Sequence, residues 1–408
     1  MRISFIGLGK LGLPLACCMA EGGNSILGID KSSYVNRQLK EGLLPFYETD
    51  LEPLFMSVKS KFIDFSDSFD RAIKETDVSV ILVNTQLGES GYASDLVVEV
   101  IRELAHALND SSKEYHLIVV SSTLLPGSID SLISIFEGIS GRVHGIGFGI
   151  TYVPDFVKLG SVLKDFMNPE FVLIGSKNEK DFLTTARIWN SFVKNSAPVH
   201  RLSLTEAEIA KVALNAYLVN KISFANFLGL LCKDTPNVNV KNITDVIGLD
   251  KRISPFFFRS GAPYGGTCFP RDTAAFIEFT KSRGYSADHM FFAEKVNNLI
   301  LEDIILTASD VERIGILGIS FKEASPVTVG SPSMTIISNL LKKGKKISAY
   351  DPLSKLMTDI QGEVVTYANP QECIDNSDLV ILMHLNPTLA SLSYQNVAVI
   401  DPWKQLSN

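Results

Sequence analysis

Short apolar runs, closed by Gly, Asp, Asn or Ser, recur at residues 3–6, 25–30, 78–83, 116–120, 143–150 and 171–174. Runs of this length suit strands covered on both faces of a sheet. Residues 13–21, after the first run, carry a helical pattern instead. From Leu204 the spacing changes. Ile209, Val212, Ala213, Tyr217 and Ile222 recur at helical intervals, and no glycine or proline interrupts residues 204–228. This predicts a helix of about 30 residues, long enough to cross a domain boundary or pair with a copy of itself. Thr205-Glu206-Ala207-Glu208 reads as its capped start. Further helices are expected at 242–247 and 288–305, and the short runs return at 312–318, 347–351, 379–382 and 397–401. The pattern divides the chain into residues 1–200, 201–298 and 299–408. The fold class it predicts is α/β: two Rossmann-like, doubly wound domains joined by a helical central domain with one long helix.

The first run leads directly into Gly7-Leu8-Gly9-Lys10-Leu11-Gly12. This is a GxGxxG loop between a strand and a helix, where glycines permit a tight turn and bring a pyrophosphate to a helix N-terminus. The second strand ends in Asp30, where a ribose 2′-hydroxyl is expected. A carboxylate there repels a 2′-phosphate, so NAD is expected rather than NADP, although the charge of neighbouring Lys31 works against that selectivity. Thr85 and Thr123 follow the strands at 78–83 and 116–120. Ligands of doubly wound sheets bind at such carboxyl ends; the hydroxyls would equally serve to cap the turns that follow. The later α/β segment lacks GxGxxG, so a second dinucleotide is not expected there, whereas another kind of nucleotide would fit.

Tyr264-Gly265-Gly266-Thr267-Cys268-Phe269-Pro270-Arg271-Asp272 is the densest cluster of chemistry. The glycines let backbone approach a ligand or another strand. A helix starting near Pro270 would turn its N-terminal end towards Cys268 and favour a nucleophilic thiolate. The stretch also suits a glycine turn followed by a small buried side chain. Lys211 and Asn215, four apart on the long helix, share a face; both also suit an ordinary solvated helix.

Composition narrows the class. A chain of 408 residues has room for two or three domains of about 150 residues each. A net charge of −7 and the lack of a basic run argue against nucleic-acid binding. Five scattered cysteines without ligand spacing argue against a disulfide framework or a bound metal. No signal-peptide pattern is seen, and no uncharged apolar run approaches the ~20 residues of a membrane span. A soluble cytoplasmic protein is expected, with no membrane partner.

The glycine fingerprint, Ser-Ser-Thr-Leu-Leu-Pro-Gly at 121–127, Pro154-Asp155-Phe156, the Lys211/Asn215 helix, the 264–272 stretch, Phe321-Lys322 and Tyr350-Asp351-Pro352 occur in that order. Over almost its whole length the chain thereby resembles the UDP-glucose/GDP-mannose dehydrogenase family. The resemblance implies oxidation of a nucleotide-sugar C6 alcohol to a carboxylate with two NAD, UDP-glucose being the substrate first expected. It implies that Cys268 carries a thiohemiacetal and then a thioester, and that Lys211 stabilises the oxyanion. Asn215 would donate a hydrogen bond, Asp272 and Thr123 would orient or deprotonate a water, and Asp155 would stand for the Glu of thioester hydrolysis. Phe156, Lys211, Asn215, Arg252, Tyr264, Gly265, Gly266 and Lys322 would meet the substrate, Arg252 reaching across a homodimer interface. Departures from the family pattern are Asp155 for Glu, Leu159 for a loop carboxylate, Val329 and Gly330 for Arg-Glu, Gln86 for Pro and Phe227 for Glu. Two other readings stand beside this one. One is a two-electron dehydrogenase of the β-hydroxyacid type, which needs no Cys268; the other is a binding homologue without turnover.

Overall fold

A computed structural model describes the chain except Glu89, Ser90, Asp234, Lys355, Met357, Thr358, Asp359, Gln361, Ser407 and Asn408. It folds as two compact units: Met1–Ala213 with Ala274–Phe279, and Leu214–Thr273 with Thr280–Asn408.

In chain order, the first unit begins with β1 (Arg2–Ile6), α1 (Gly12–Glu21), β2 (Ser25–Ile29), α2 (Ser33–Glu41), α3 (Leu51–Phe62), β3 (Ile63–Ser66), α4 (Phe69–Glu75) and β4 (Val78–Ile81). A small antiparallel hairpin follows, β5 (Gln86–Gly88) and β6 (Gly91–Ala93). Then come α5 (Asp95–Asn109), β7 (His116–Val120), α6 (Ser128–Ser140), β8 (Phe148–Tyr152), α7 (Val162–Met167), β9 (Val172–Ser176), α8 (Glu179–Asn190) and β10 (Val199–Leu202). Eight strands form one sheet, ordered β10-β9-β8-β7-β4-β1-β2-β3. Alternate residues of each strand serve opposite cores. Ile3, Phe5, Val78, Val80, Leu117 and Val119 enter one cluster, while Ile6, Ile81, Ile118 and Val120 enter the other. Burial on both faces is why these segments read as continuous apolar runs.

Two details depart from the sequence pattern. The run at 143–150 is a turn before it is a strand: Gly145 has φ +82° and its amide donates to the Phe148 carbonyl, so β8 starts only at Phe148. β9 pairs with β8 antiparallel, through Thr151 with Ser176 and Tyr152 with Gly175, whereas the other pairs of this sheet are parallel.

The long helix, α9 (Leu204–Lys233), has 30 residues and runs on through Ala213 into the second unit. Its cap is Ser203 rather than Thr205. The Glu206 amide donates to Ser203 Oγ, and the Glu206 carboxylate accepts from the Ser203 amide at 2.7 Å, a reciprocal capping box. Next in the chain come α10 (Val240–Gly248), α11 (Cys268–Ser282), whose stretch Ala274–Phe279 belongs to the first unit, and α12 (Asp288–Ala308). After these come β11 (Arg313–Leu317), α13 (Pro332–Lys342), β12 (Lys346–Tyr350), β13 (Val364–Thr366), α14 (Pro370–Asp375), β14 (Leu379–Leu382), α15 (Pro387–Ala390) and β15 (Ala398–Ile400). Its parallel sheet is ordered β13-β12-β11-β14-β15. Among the described residues, no helix is long and apolar enough to cross a membrane.

Candidate active site

In the first unit the glycine loop connects β1 to α1. Gly7 has φ +95°, and a Cβ on Gly12 would overlap the Gly7 carbonyl oxygen. Only glycine closes this turn. A Cβ on Gly9 would meet nothing within 4 Å, so the outer side of the loop is open. The first turn of α1 holds no acidic residue, and Leu11 offers no capping side chain. Its positive dipole end is therefore not occupied by an acid or cap of its own, which suits a pyrophosphate. Asp30 sits just past β2; its carboxylate accepts from the Leu8 and Ser32 amides, both at 2.9 Å. Lys10 and Lys31 are exposed and Leu11 is half-buried. These residues fit a dinucleotide.

Thr85 and Thr123 are buried just past β4 and β7. Between those strand ends, Ser122 Oγ accepts from the Val83 amide at 2.9 Å and donates to the Val83 carbonyl at 2.8 Å. Ser122 thus pins the two ends together. Asp155 and Phe156 follow β8. Lys211 is buried, not solvated: its ammonium donates to the Asp155 carbonyl at 2.6 Å and lies 5.3 Å from the centre of the Phe156 ring. Phe156 in turn packs on Phe171 at 5.1 Å. A carbonyl and a ring face together hold the ammonium in one place.

Two carboxylates that the sequence pattern does not single out organise the loops here. Glu208 is fully buried; its Oε2 accepts from the Gly127 amide at 2.6 Å and its Oε1 from the Ile129 amide at 2.8 Å. It caps α6, not its own helix. Burial pushes its carboxyl up to about 7, with the Asp130 charge acting the same way and the two amides pulling against them. Glu48 accepts from the Gly160 and Val162 amides at 2.9 and 3.0 Å, and so anchors the loop where Leu159 replaces a carboxylate. The signal for both lies in the fold alone, since their partners are backbone amides remote in sequence.

In the second unit, Cys268 is exposed and is the first residue of α11, two positions ahead of the start expected at Pro270. Pro270 is tolerated because first-turn amides have no partner inside the helix. Thr267 supplies no side-chain cap, and its Oγ1 is 3.8 Å from the Cys268 sulfur. One turn on, Asp272 is fully buried; it accepts from Asn215 Nδ2 at 2.6 Å and from Arg271 Nε at 2.8 Å. Asn215 is therefore a fixed partner of Asp272, and Arg271 a second one that the motif reading passed over.

The glycines before Cys268 meet protein backbone. The Gly266 amide donates to the Gly330 carbonyl at 2.9 Å, and a Cβ on Gly265 would overlap that same oxygen. Gly266 has φ +81°, and a Cβ there would come within 2.5 Å of the Phe321 ring. Tyr264 is gripped by Asn297, whose side chain accepts from its amide at 2.8 Å and donates to its carbonyl at 3.1 Å. Lys322 is half-buried beside Phe321, and Ser320 Oγ donates to its carbonyl. Arg252 is exposed and pairs with Asp250 at 2.6 Å. Val329 is exposed, and Phe227 packs edge-on against Phe292.

Three family models match along the chain. Residues 1–193 match the NAD binding domain of the UDP-glucose/GDP-mannose dehydrogenase family, residues 205–299 its central domain and residues 315–405 its UDP binding domain. The UDP-glucose 6-dehydrogenase TuaD of Bacillus subtilis is 32% identical over 375 residues, 90% of this chain and 79% of that one. The GDP-mannose 6-dehydrogenase of Pseudomonas putida is 28% identical over 415 residues, 97% of this chain and 93% of that one. A UDP-glucose dehydrogenase structure from Pyrobaculum islandicum superposes with a TM-score of 0.90 at 28% identity, covering 99% of this chain and 95% of that one. The chain belongs to the UDP-glucose/GDP-mannose dehydrogenase family and is an NAD-dependent oxidoreductase acting on a nucleotide sugar.

Proposed function

We propose that this protein is a UDP-glucose 6-dehydrogenase, oxidising the C6 alcohol to a carboxylate in two stages with the sugar held on Cys268 between them. The observation that carries the reading lies in the second unit. An exposed thiol opens α11, and one turn later a buried carboxylate is bridged to Asn215 and Arg271. A nucleophilic sulfur needs access and a helix N-terminus; a group that handles water needs a fixed carboxylate.

NAD, held at the Gly7–Gly12 turn with Asp30 on its ribose and Lys10, Leu11, Lys31, Thr85 and Thr123 around it, supplies the hydride acceptor for each oxidation. The chain's own groups do the rest. The Cys268 sulfur adds to the C6 aldehyde as a thiohemiacetal, and oxidation leaves a thioester. Lys211 provides fixed positive charge for the oxyanion, and Asn215 a hydrogen bond. Asp272, Thr123 and Asp155 are assigned the water that cleaves the thioester. Asp155 is a methylene shorter than the family's Glu and already lends its carbonyl to Lys211. Residues 299–408, with Tyr264, Gly265, Gly266, Phe156, Arg252 and Lys322, are assigned the nucleotide sugar. We also assign a homodimer, built on the exposed side of α9, and a reducing cytoplasmic setting consistent with five free cysteines.

The test supplies NAD with a panel of UDP- and GDP-sugars, follows NADH absorbance, and assays the product for a carboxylate. UDP-glucose is expected to yield two NADH per sugar, with Cys268→Ser stalling before the carboxylate. A preference for GDP-mannose would move the substrate assignment and keep the chemistry. One NADH per sugar, or full turnover by Cys268→Ala, would replace this reading with a two-electron dehydrogenase. Nucleotide-sugar binding without turnover across the panel would indicate a non-catalytic homologue.

A further inference from the structure

We propose that Glu208 is a positioning residue: it ties the loop that carries Thr123 to the helix that carries Lys211. The inference rests on the function proposed above but concerns the first unit alone. α6 begins after Gly127, which has φ +95° and no side chain with which to cap the helix. Its first amides need an acceptor from elsewhere. Glu208 supplies both oxygens, one to Gly127 and one to Ile129. Gly127 lies four residues beyond Thr123, at the far end of the loop that leaves β7. On α9, Glu208 is three residues before Lys211, so the two side chains share a face. The Lys211 ammonium makes the next tie, to the Asp155 carbonyl just past β8. Three bonds from two side chains on one helix face, two from Glu208 and one from Lys211, therefore fix the loops that follow β7 and β8. Lys211 and Thr123 are held in one frame because Glu208 engages two amides at once.

This carboxylate is a costly way to cap a helix. Burial pushes it up to about 7, so a neutral side chain of the same shape would be easier to bury. Glutamine is that side chain. It keeps one acceptor oxygen but turns an NH2 towards the other amide, so it fills the space without making both bonds. A purely structural role would show stability and activity changing together in Glu208→Gln; a positioning role would separate them.

The experiment compares wild type with Glu208→Gln, adding Glu208→Ala as the larger truncation, in three measurements at pH 8: thermal midpoint, kcat and KM with the best sugar of the panel, and acetylation of Lys211 relative to exposed Lys164 by mass spectrometry. Glu208→Gln is expected to keep or raise its thermal midpoint. It is expected to lose about tenfold to a hundredfold in kcat, the scale of a misplaced reacting group. Lys211, buried in the wild type, is expected to acetylate faster in both variants. Wild-type kcat in Glu208→Gln would overturn the proposal, as would unchanged Lys211 labelling or a fall in kcat matched by a fall in midpoint. If the wild type turns over no sugar, the proposed function fails on its own, and Lys211 labelling still decides the role of Glu208.

Discussion

A single carboxylate can be asked to do two incompatible things, and Glu208 is such a residue. Its bonds to Gly127 and Ile129 favour the anion, while burial and the nearby Asp130 charge favour the acid. Burial wins, and the carboxyl titrates at about 7 in the folded chain against an ordinary 4.5. The direction for stability follows from that order. A group whose value is raised on folding gives its full stabilisation below 4.5, where both states are protonated, and loses it as pH rises through 7. Between those limits the wild type is expected to lose at most about 3 kcal/mol relative to Glu208→Gln, which does not titrate. Urea unfolding of the two proteins at several pH values from 4.5 to 8 checks this; a difference that stays flat with pH would refute it. Glu208 also marks what sequence reading missed. The pattern at 205–208 resembles a helix start, and Glu206 does cap α9 through Ser203. The partners of Glu208 lie 79 and 81 residues away, and they are backbone amides that leave no mark in the letters. Cys268, Asp272 and Lys211, by contrast, could be named as candidates from the sequence, through residue type and the family resemblance. What sequence could not choose was their setting: Lys211 suited a solvated face, and it is buried under Phe156.

At the scale of elements, strands buried on both faces were legible; of the edge strands, β15 was expected from its run at 397–401, while β3, β10 and β13 were not. β1, β2, β4 and β7 read as apolar runs because their apolar residues alternate between two cores. β3 and β13 sit at sheet edges, where less apolar surface is demanded, and the letters there carry little signal. The antiparallel turn of β9 was invisible for another reason: strand direction depends on the path of the connection, not on the strand's own residues. The glycines before Cys268 show the same limit. Sequence left open whether they admit a ligand or another segment, and the segment is the Phe321–Gly330 loop. Gly266 therefore has two constraints, a left-handed φ of +81° and a ring 2.5 Å from any Cβ. Gly266→Ala is expected to destabilise the second unit by at least about 2 kcal/mol, from backbone strain and displacement of Phe321 together. Denaturant unfolding followed in that unit checks it. A substitution that left stability intact would mean the loop yields easily and does not hold the first turn of α11 in place.

At the scale of the whole molecule, the second unit leaves apolar surface that a lone chain does not use. Tyr217, Phe224 and Leu231 on α9 are all exposed and spaced by seven residues. Over two heptads an ideal helix drifts only about 40°, so these three form a stripe. Phe292, Leu299 and Leu306 on α12 are exposed at the same spacing. The two helices pack side by side in the same direction. Asn220 meets Met290, Ser223 meets Ala293 and Lys233 pairs with Asp303, each with a separation of 70 residues. Replacing the family's Glu by Phe227 adds another ring on this pair, against Phe292. Isolated exposed apolar side chains need no explanation, but two ordered rows on adjacent helices are the pattern of an interface. The homodimer proposed above would cover them: the rows belong to helices long enough for self-pairing, and a two-fold contact would bring the same stripe from both sides. Sedimentation of the wild type at micromolar concentration is expected to give twice the chain's mass. Phe224→Glu with Leu231→Glu is expected to give single chains with unchanged helix content, because both side chains lie outside the core and a charge there meets water when the partner leaves. A wild type that sediments as single chains, or a double variant that still dimerises, would move the interface off this face and leave the two rows unexplained.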